Sequence, residues 1–307
     1  MNFTLRQLQL FEAVARHSSY TRAAAELHLT QPAVSTQVKQ LEEMVGTPLF
    51  EHMGRKIFLT EAGREMYEFS RNIAQKFTDI GVALDEMKGV RRGALNISIA
   101  STAKYFAPYL LAAFCREHPG ITVSLDVTNR EALLRQLAEN IPDMAIMGAP
   151  PEGLDLVAES FMLNPLVVIA PPNHVLAGSE RISLERLLRE SFIVRERGSG
   201  TRNAVERFLE QRKLSMTTTM EMSRNEAIKH AVMAGLGLGI VSVHTLEMEL
   251  TLKRLVVLNV EGFPIVKDWF LVHRRSKRFS AAAAAFKDFV LQESSRIIQI
   301  PQADVDA

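Results

Sequence analysis

The apolar residues of this chain change their period near residue 90, and few features restrict a fold as strongly. From Leu5 to about Val90 they recur at helical spacing with almost no strand signal, whereas from Leu95 onward short β-branched runs alternate with helical segments. The reading is an α part followed by an α/β part, and so at least two domains. The junction KGVRRGAL (88–95) carries two glycines and two adjacent arginines ahead of the strand-like run LNISIA, as a helix ending would. With 307 residues, 47% of them apolar, the chain can support two or three domains with cores of their own.

Several function classes are disfavoured at once. No apolar run approaches the ~20 residues that cross a bilayer. The first residues, MNFTLRQLQLFEAVARHSS, place Arg6, Gln7, Gln9 and Glu12 where a signal peptide needs unbroken apolar character, so a cytoplasmic location and no membrane partner are expected. The lone Cys115 offers neither an intramolecular disulfide nor a metal cluster, and it reads as core filler among Leu110, Leu111, Ala113 and Phe114. An enzyme needs a nucleophile, a base or a metal set. The 8 histidines show no HxxxH-type spacing and there is no G-x-S-x-G elbow, so the chain reads as a non-enzyme with no metal and no resident cofactor. The net charge of +1 does not discriminate between partners. SAAAAAF (280–286) reads as a helix interior.

YTRAAAELHLTQPAVSTQVKQLEEMVGTPLF (20–50) is the first stretch to carry function. Ala23, Ala24 and Leu27 give a short helix a small apolar face, HLT makes a tight turn, and Pro32 opens a second helix whose Val34, Val38, Leu41 and Val45 face inward. This is helix-turn-helix spacing. It leaves Gln31, Ser35, Thr36 and Lys39 outward near the second helix's start, where short polar side chains reach base edges and a lysine reaches phosphate. A plain αα-hairpin fits the same pattern, and the near-even charge of residues 1–60 does not exclude it.

LRQLQLFEAVARHSSYTRAAAELHLTQPAVSTQVKQLEEMVGTPLFEHMGRKIFLTEAG resembles the N-terminal winged helix-turn-helix of the LysR-type bacterial transcriptional regulators, through its TQPAVS…LE…G…LF signature. The resemblance implies that Gln31, Pro32 and Ser35 occupy major-groove positions and that HMGRKIFLT (52–60) is the wing, with Arg55 aimed at the minor groove or a phosphate. Many members carry arginine after the motif serine; here Thr36 stands there, which implies a weaker or different base readout at that position.

Beyond the wing, Met66, Phe69, Ile73, Phe77, Ile80, Leu84 and Met87 fall at steps of 3 and 4 along one long helix. Such a seam needs cover, from the chain's own second domain or from a second copy. The resemblance implies the latter: a homodimer, or a dimer of dimers, bringing two reading heads to half-sites of a double-stranded operator, with RNA polymerase as a further partner.

The remainder alternates strand and helix. LNISIA (95–100), ITVSLDV (121–127), DMAIM (143–147), PLVVIAP (165–171), FIVR (192–195), GIVSV (239–243) and WFLVH (269–273) read as strands of mostly parallel sheets, whose ligands collect at strand carboxyl ends and helix N-termini. The full expectation is α + α/β: a winged helix-turn-helix over 1–60, a dimerisation helix over 61–91 and an effector domain over 92–307. By resemblance, the effector domain is of periplasmic-binding-protein type, with one subdomain at about 92–164 and 269–307, the other at about 165–268, and the effector between them.

RERGSGTR (195–202) stands at the end of FIVR and the start of a helix, where free backbone N–H groups favour an anion. The N–H groups of Ser199, Gly200 and Thr201 would hold it and Arg202 would neutralise it, with Arg195 adjacent; a helix cap with solvated arginines fits equally. Ser101, Thr102 and Lys104 follow the first strand and Thr128, Asn129 and Arg130 the second, so both groups join the candidate site. Asn225 begins another helix, as ligand contact or N-cap. AGLGLG (234–239) follows a helix and reads as a tight helix-to-strand turn, not a dinucleotide fingerprint.

Across this part, NREALLRQLAEN (129–140), NPLVVIAPPNHVLAG (164–178), RGSGTR (197–202), NEAIKHAVMAGLGLG (225–239) and VEGFPIVKDW (260–269) resemble the CbbR subgroup, LysR-type regulators of Calvin-cycle carbon-fixation operons. That implies a phosphorylated or otherwise anionic effector. Arg197, where many relatives carry proline, would strengthen anion attraction if it points inward.

Overall fold

The computed structural model describes residues 3–54, 56–86 and 93–299. The chain divides into two compact units, Met1–Leu84 and Asp85–Ala307.

The first unit contains α1 (Leu5–His17), α2 (Tyr20–Glu26), α3 (Gln31–Val45), the hairpin strands β1 (Phe50–Met53) and β2 (Lys56–Leu59), and α4 (Glu61–Glu86). A capping box starts α1: the Gln7 N–H donates to the Thr4 hydroxyl at 3.2 Å and the Thr4 N–H to Gln7 Oε1 at 2.8 Å. Val34, Val38 and Leu41 of α3 are fully buried against Leu10, Phe11 and Val14 of α1, Ala23 and Ala24 of α2, and Leu49 and Ile57. The carboxylate of Glu42 on α3 accepts the N–H groups of Leu49 and Phe50 at 2.7 and 3.1 Å, tying the hairpin to the helices. The seam of α4 divides. Met66 and Ile73 pack on the unit's own core, while Phe69, Phe77 and Ile80 stay 62%, 52% and 56% exposed. The side chain of Leu84, and Met87 entirely, lie outside the described residues.

The second unit begins with β3 (Gly93–Ala100), a one-turn 3₁₀ segment (Ala103–Tyr105), α5 (Ala107–Glu117), β4 (Ile121–Thr128), α6 (Arg130–Ala138) and β5 (Met144–Met147). There follow β6 (Leu156–Ala170), α7 (Leu184–Leu187), β7 (Ser191–Arg195), α8 (Gly200–Glu210), β8 (Thr217–Met222), α9 (Asn225–Met233) and β9 (Leu238–Ser242). A second 3₁₀ turn (Val243–Thr245), α10 (Glu247–Thr251), β10 (Val256–Val257), β11 (Ile265–Arg274) and α11 (Ala281–Ile297) complete it.

The strands form one sheet in the order β4-β3-β5-β11-β6-β9-β7-β8, with β10 beside β6. Pairing is parallel between β3 and its neighbours β4 and β5, and between β7 and its neighbours β8 and β9. The two groups are joined by antiparallel pairing of β6 with β11, from Ile265 opposite Leu166 to Arg274 opposite Leu156. β11 also pairs with β5, and β6 with β9. The chain therefore leaves the first half along β6 and returns along β11. That round trip makes the centre of the sheet antiparallel where mostly parallel sheets were expected. Each half has its own core, one around Leu95, Ile99, Phe114 and Phe286, the other around Leu166, Val168, Phe192 and Leu238.

Several strand segments are absent from the sequence reading, β10 and the first half of β11 among them. The first half of β6 is partly exposed, and β8, TTTMEM, is an edge strand exposed at all but its last residue, so neither shows apolar alternation. Cys115, expected as core filler, is only half-buried. AGLGLG is the helix-to-strand turn between α9 and β9. Gly237 has a φ of 147°, and a Cβ there would stand 2.7 Å from the Ser191 carbonyl oxygen, so a side chain is excluded on both counts.

Candidate functional site

A cavity of about 400 Å³ opens in the second unit where the carboxyl ends of β3, β5 and β7 meet the N-terminus of α8. Of the residues expected there, Ser101, Thr102, Arg130, Arg195, Ser199, Gly200 and Thr201 line it. The turn preceding α8 is made by Gly198, in the left-handed region at a φ of 84°. Ser199 follows as N-cap, but its side chain makes no capping bond. Its N–H donates to the Glu196 carbonyl at 3.1 Å and its carbonyl accepts from the Asn203 N–H at 2.9 Å. The expected cradle is thereby corrected by one residue: the N–H groups that precede the first intrahelical bond are those of Gly200, Thr201 and Arg202.

Arg195 is the buried cation that the fold places at the cleft. Only 4% exposed, it donates through Nε and Nη2 to both carboxylate oxygens of Glu196 at 2.8 and 2.9 Å. Its remaining donors reach Asn225 Oδ1 at 2.9 Å, Ser101 Oγ at 3.3 Å and Thr102 Oγ1 at 3.4 Å. Asn225 Nδ2 donates to the same Thr102 hydroxyl at 3.0 Å. Asn225 is therefore neither an N-cap nor a lining residue. It is a buried joint between the two halves.

The expected neutralising role of Arg202 is corrected too. Its side chain turns away from the cavity, donating to Glu206 Oε1 at 2.7 Å, to the Arg195 carbonyl at 3.0 Å and to Glu221. Arg197 is exposed and does not line the cavity. Lys104 pairs with Glu226 at 2.6 Å. Burial alone would raise the pKa of Glu226, but hydrogen bonds from Lys104 and from its own backbone N–H hold it down at about 2. Thr128 ends β4 outside the lining, and Asn129 caps α6 by accepting the Ala132 N–H at 2.8 Å.

Arg207 and Lys267 line the cavity and escaped the sequence reading, as did the acidic Glu196 and Asp268. Arg207 was legible in principle, since it stands seven residues after Gly200 and thus on the same face of α8. Lys267 is brought in by β11 from the far end of the chain, and nothing local announces it. Four cations against two carboxylates leave the cavity electropositive. Arg130 donates to the Ala149 carbonyl at 2.7 Å, and burial lowers its pKa, with the charge of Arg207 acting in the same direction.

In the first unit, Gln31, Pro32, Thr36 and Lys39 are exposed and Ser35 half-buried along the first turns of α3, opposite the buried Val34, Val38 and Leu41. Pro32 sits in the helix's first turn, where its missing N–H leaves no bond unmade. Arg55 lies outside the described residues. Among the described residues no group of three or more metal-ligating side chains assembles, and no helix is long and apolar enough to cross a membrane.

Residues 5–64 match the bacterial regulatory helix-turn-helix proteins of the lysR family, and residues 88–295 match the LysR substrate binding domain. The chain belongs to the lysR family of transcriptional regulators. It is 56% identical over 297 residues to the RuBisCO operon transcriptional regulator of Allochromatium vinosum, spanning 97% of this chain and 98% of that one. It is 45% identical over 301 residues to the HTH-type transcriptional activator CmpR of Synechocystis, spanning 97% and 99%. The CcmR regulatory domain of Synechocystis, solved in complex with 2-PG, superposes with a TM-score of 0.64 at 38% identity, covering 67% of this chain and 99% of that domain. Full-length CbnR complexed with its target DNA shares the fold, with a TM-score of 0.67 at 21% identity over 94% of this chain and 99% of that one.

Proposed function

We propose that this protein is a cytoplasmic, dimeric or tetrameric DNA-binding regulator of a carbon-fixation operon, switched by a small phosphorylated or carboxylated metabolite bound in the cleft of its second unit. The cleft carries this reading: an electropositive cavity of about 400 Å³ that joins a helix N-terminus to Ser101, Thr102 and Arg195. Relatives named for RuBisCO operon control, and a similar domain solved with 2-PG, support the gene class and the chemical class of effector. α3 supplies the reading surface, with Gln31, Pro32, Ser35 and Thr36 toward bases and Lys39 and Arg55 toward backbone. An effector that favours one arrangement of the two halves shifts that equilibrium and with it the engagement of DNA.

Footprinting of the full-length protein on the promoter of a carbon-fixation operon, with and without anionic central metabolites, tests this. A footprint that one of them changes supports it; a footprint indifferent to all of them refutes the switch. Gln31→Ala should relax sequence preference, whereas Lys39→Ala should weaken every sequence alike and lower the salt slope by about one unit.

A further inference from the structure

The cleft has two cationic poles, set apart along one helix. The face of α8 that lines the cavity runs from Gly200 through Asn203 and Ala204 to Arg207. Those seven residues advance roughly 10 Å along the axis. At the N-terminal pole stand the free N–H groups of α8, with Ser101, Thr102 and Arg195. The charge of Arg195 is already met there by the carboxylate of Glu196.

The other pole is different. Arg207 from the second half and Arg130 from the first both line the cavity, and among the described residues neither makes an ion pair with a carboxylate. Arg130 is held by a backbone carbonyl that leaves its charge uncompensated. The positive charge of Arg207 lowers its pKa further, beyond the larger effect of burial. Arg130, half-buried, and Arg207, solvent-exposed, face one cavity from its two halves with Asp268 as the lining carboxylate besides Glu196, and drawing the two guanidinium groups closer strengthens their repulsion. An anion between them would turn that repulsion into two attractions, each with the forked geometry that suits phosphate and carboxylate.

We propose that Arg130 and Arg207 form a second anion subsite, so that the effector is a metabolite with two anionic groups, one at each pole, and that its second group draws the two halves together. This rests on the effector cleft proposed above and adds to it the number and placement of charges. A ligand with a single anionic group satisfies the N-terminal pole and leaves the arginine pair repelling.

Calorimetry on the full-length protein tests this with 2-phosphoglycolate, a pentose bisphosphate and inorganic phosphate as probes. Wild type should bind at least one of the two-anion probes about ten- to a hundredfold tighter than phosphate, the loss expected for a missing charge-assisted pair. Arg130→Gln and Arg207→Gln should each reduce that preference, and the two together should remove it without additivity, because both act on one group. Arg130→Lys, which keeps a donor for the Ala149 carbonyl, guards against loss of local structure and should retain part of the preference. Arg207→Glu supplies a readout without ligand: it pairs with Arg130 and should raise the thermal midpoint of the unliganded protein by about 2 °C. An undiminished preference in the double variant, or a wild type that does not distinguish two anions from one, overturns the second subsite alone. A wild type that binds none of the three overturns the anionic-effector reading as well.

Discussion

Arg195 donates to Asn225 Oδ1 at 2.9 Å, and both side chains converge on the hydroxyl of Thr102, which the chain supplies from the other half of the sheet. The hydroxyl therefore joins the halves beside the cleft, and its partners are nearly inaccessible to water. Thr102→Val keeps the shape and deletes the acceptor. Leaving a buried amide donor unpaired costs about 1–3 kcal/mol, so the denaturation midpoint of the second unit should fall accordingly. An unchanged midpoint would show that the joint contributes nothing to holding the halves.

The two arginines that flank the glycine turn should respond unequally to substitution. Arg195→Lys keeps a charge but loses the fork that grips Glu196 and reaches Ser101 and Thr102, so effector binding should weaken at least about tenfold. Arg202→Lys disturbs the pairs with Glu206 and Glu221, whose carboxylates are largely solvated, and should change stability by less than about 1 kcal/mol. It should leave effector affinity within about twofold, because its side chain does not enter the cavity. Parallel titrations of the two variants decide the assignment, and an equal loss in both would return Arg202 to the site.

How much of this was legible in the chain follows the range of the interactions. The helix-turn-helix rests on residues a few positions apart, and the apolar positions of α3 and the turn at His28 stand where the spacing put them. The strand-turn-helix of GSGTR is equally local. The direction of Arg202 is local only in part: Glu206, one turn on, was within reach of helical periodicity, but Glu221, its other carboxylate partner, lies on β8, an edge strand with no sequence signal. Arg207 could have been found by extending helical periodicity from Gly200. Lys267 and Asp268 could not, since only the return of β11 beside β6 brings them to the cavity.

Acid should loosen the first unit through Glu26. Arg16 and His17 of α1 hydrogen-bond its carboxylate across to α2 and hold its pKa down at about 2. A carboxylate whose folded pKa lies below its unfolded value of about 4.3 contributes stability that is full above the unfolded value and is lost as pH falls toward the folded one. The contribution should therefore be complete at pH 6 and decline between roughly pH 5 and 2. Because the group is well solvated, the effect should stay below about 1 kcal/mol. Hydrogen exchange of α1 amides in the full-length protein should show protection falling across that window, and Glu26→Gln should flatten the dependence. A variant that loses protection with the same pH profile as wild type would assign the loss to other carboxylates.

The exposed side of α4 leads to a prediction about assembly. Phe69, Phe77 and Ile80 leave more than half of each side chain in water, although Met66 and Ile73, one turn away, pack onto the unit's own core. Phe77 also borders a groove of about 640 Å³ that α4 forms with α1, lined by Leu5, Leu8 and Ile73 among others. A row of large apolar groups beside a groove of mixed apolar and polar lining on the same unit can pair with its own copy, as a two-fold interface requires. Glutamate at both Phe77 and Ile80 would place unpaired charge in that contact, at a cost of several kcal/mol on association. The unit itself should fold unaffected, because neither residue contributes to its core. Sedimentation of the double variant should therefore give a monomer with the helicity of wild type and much weaker operator binding, since one head alone spans only one half-site. A dimer of undiminished stability would place the interface elsewhere and leave the exposed phenylalanines unexplained.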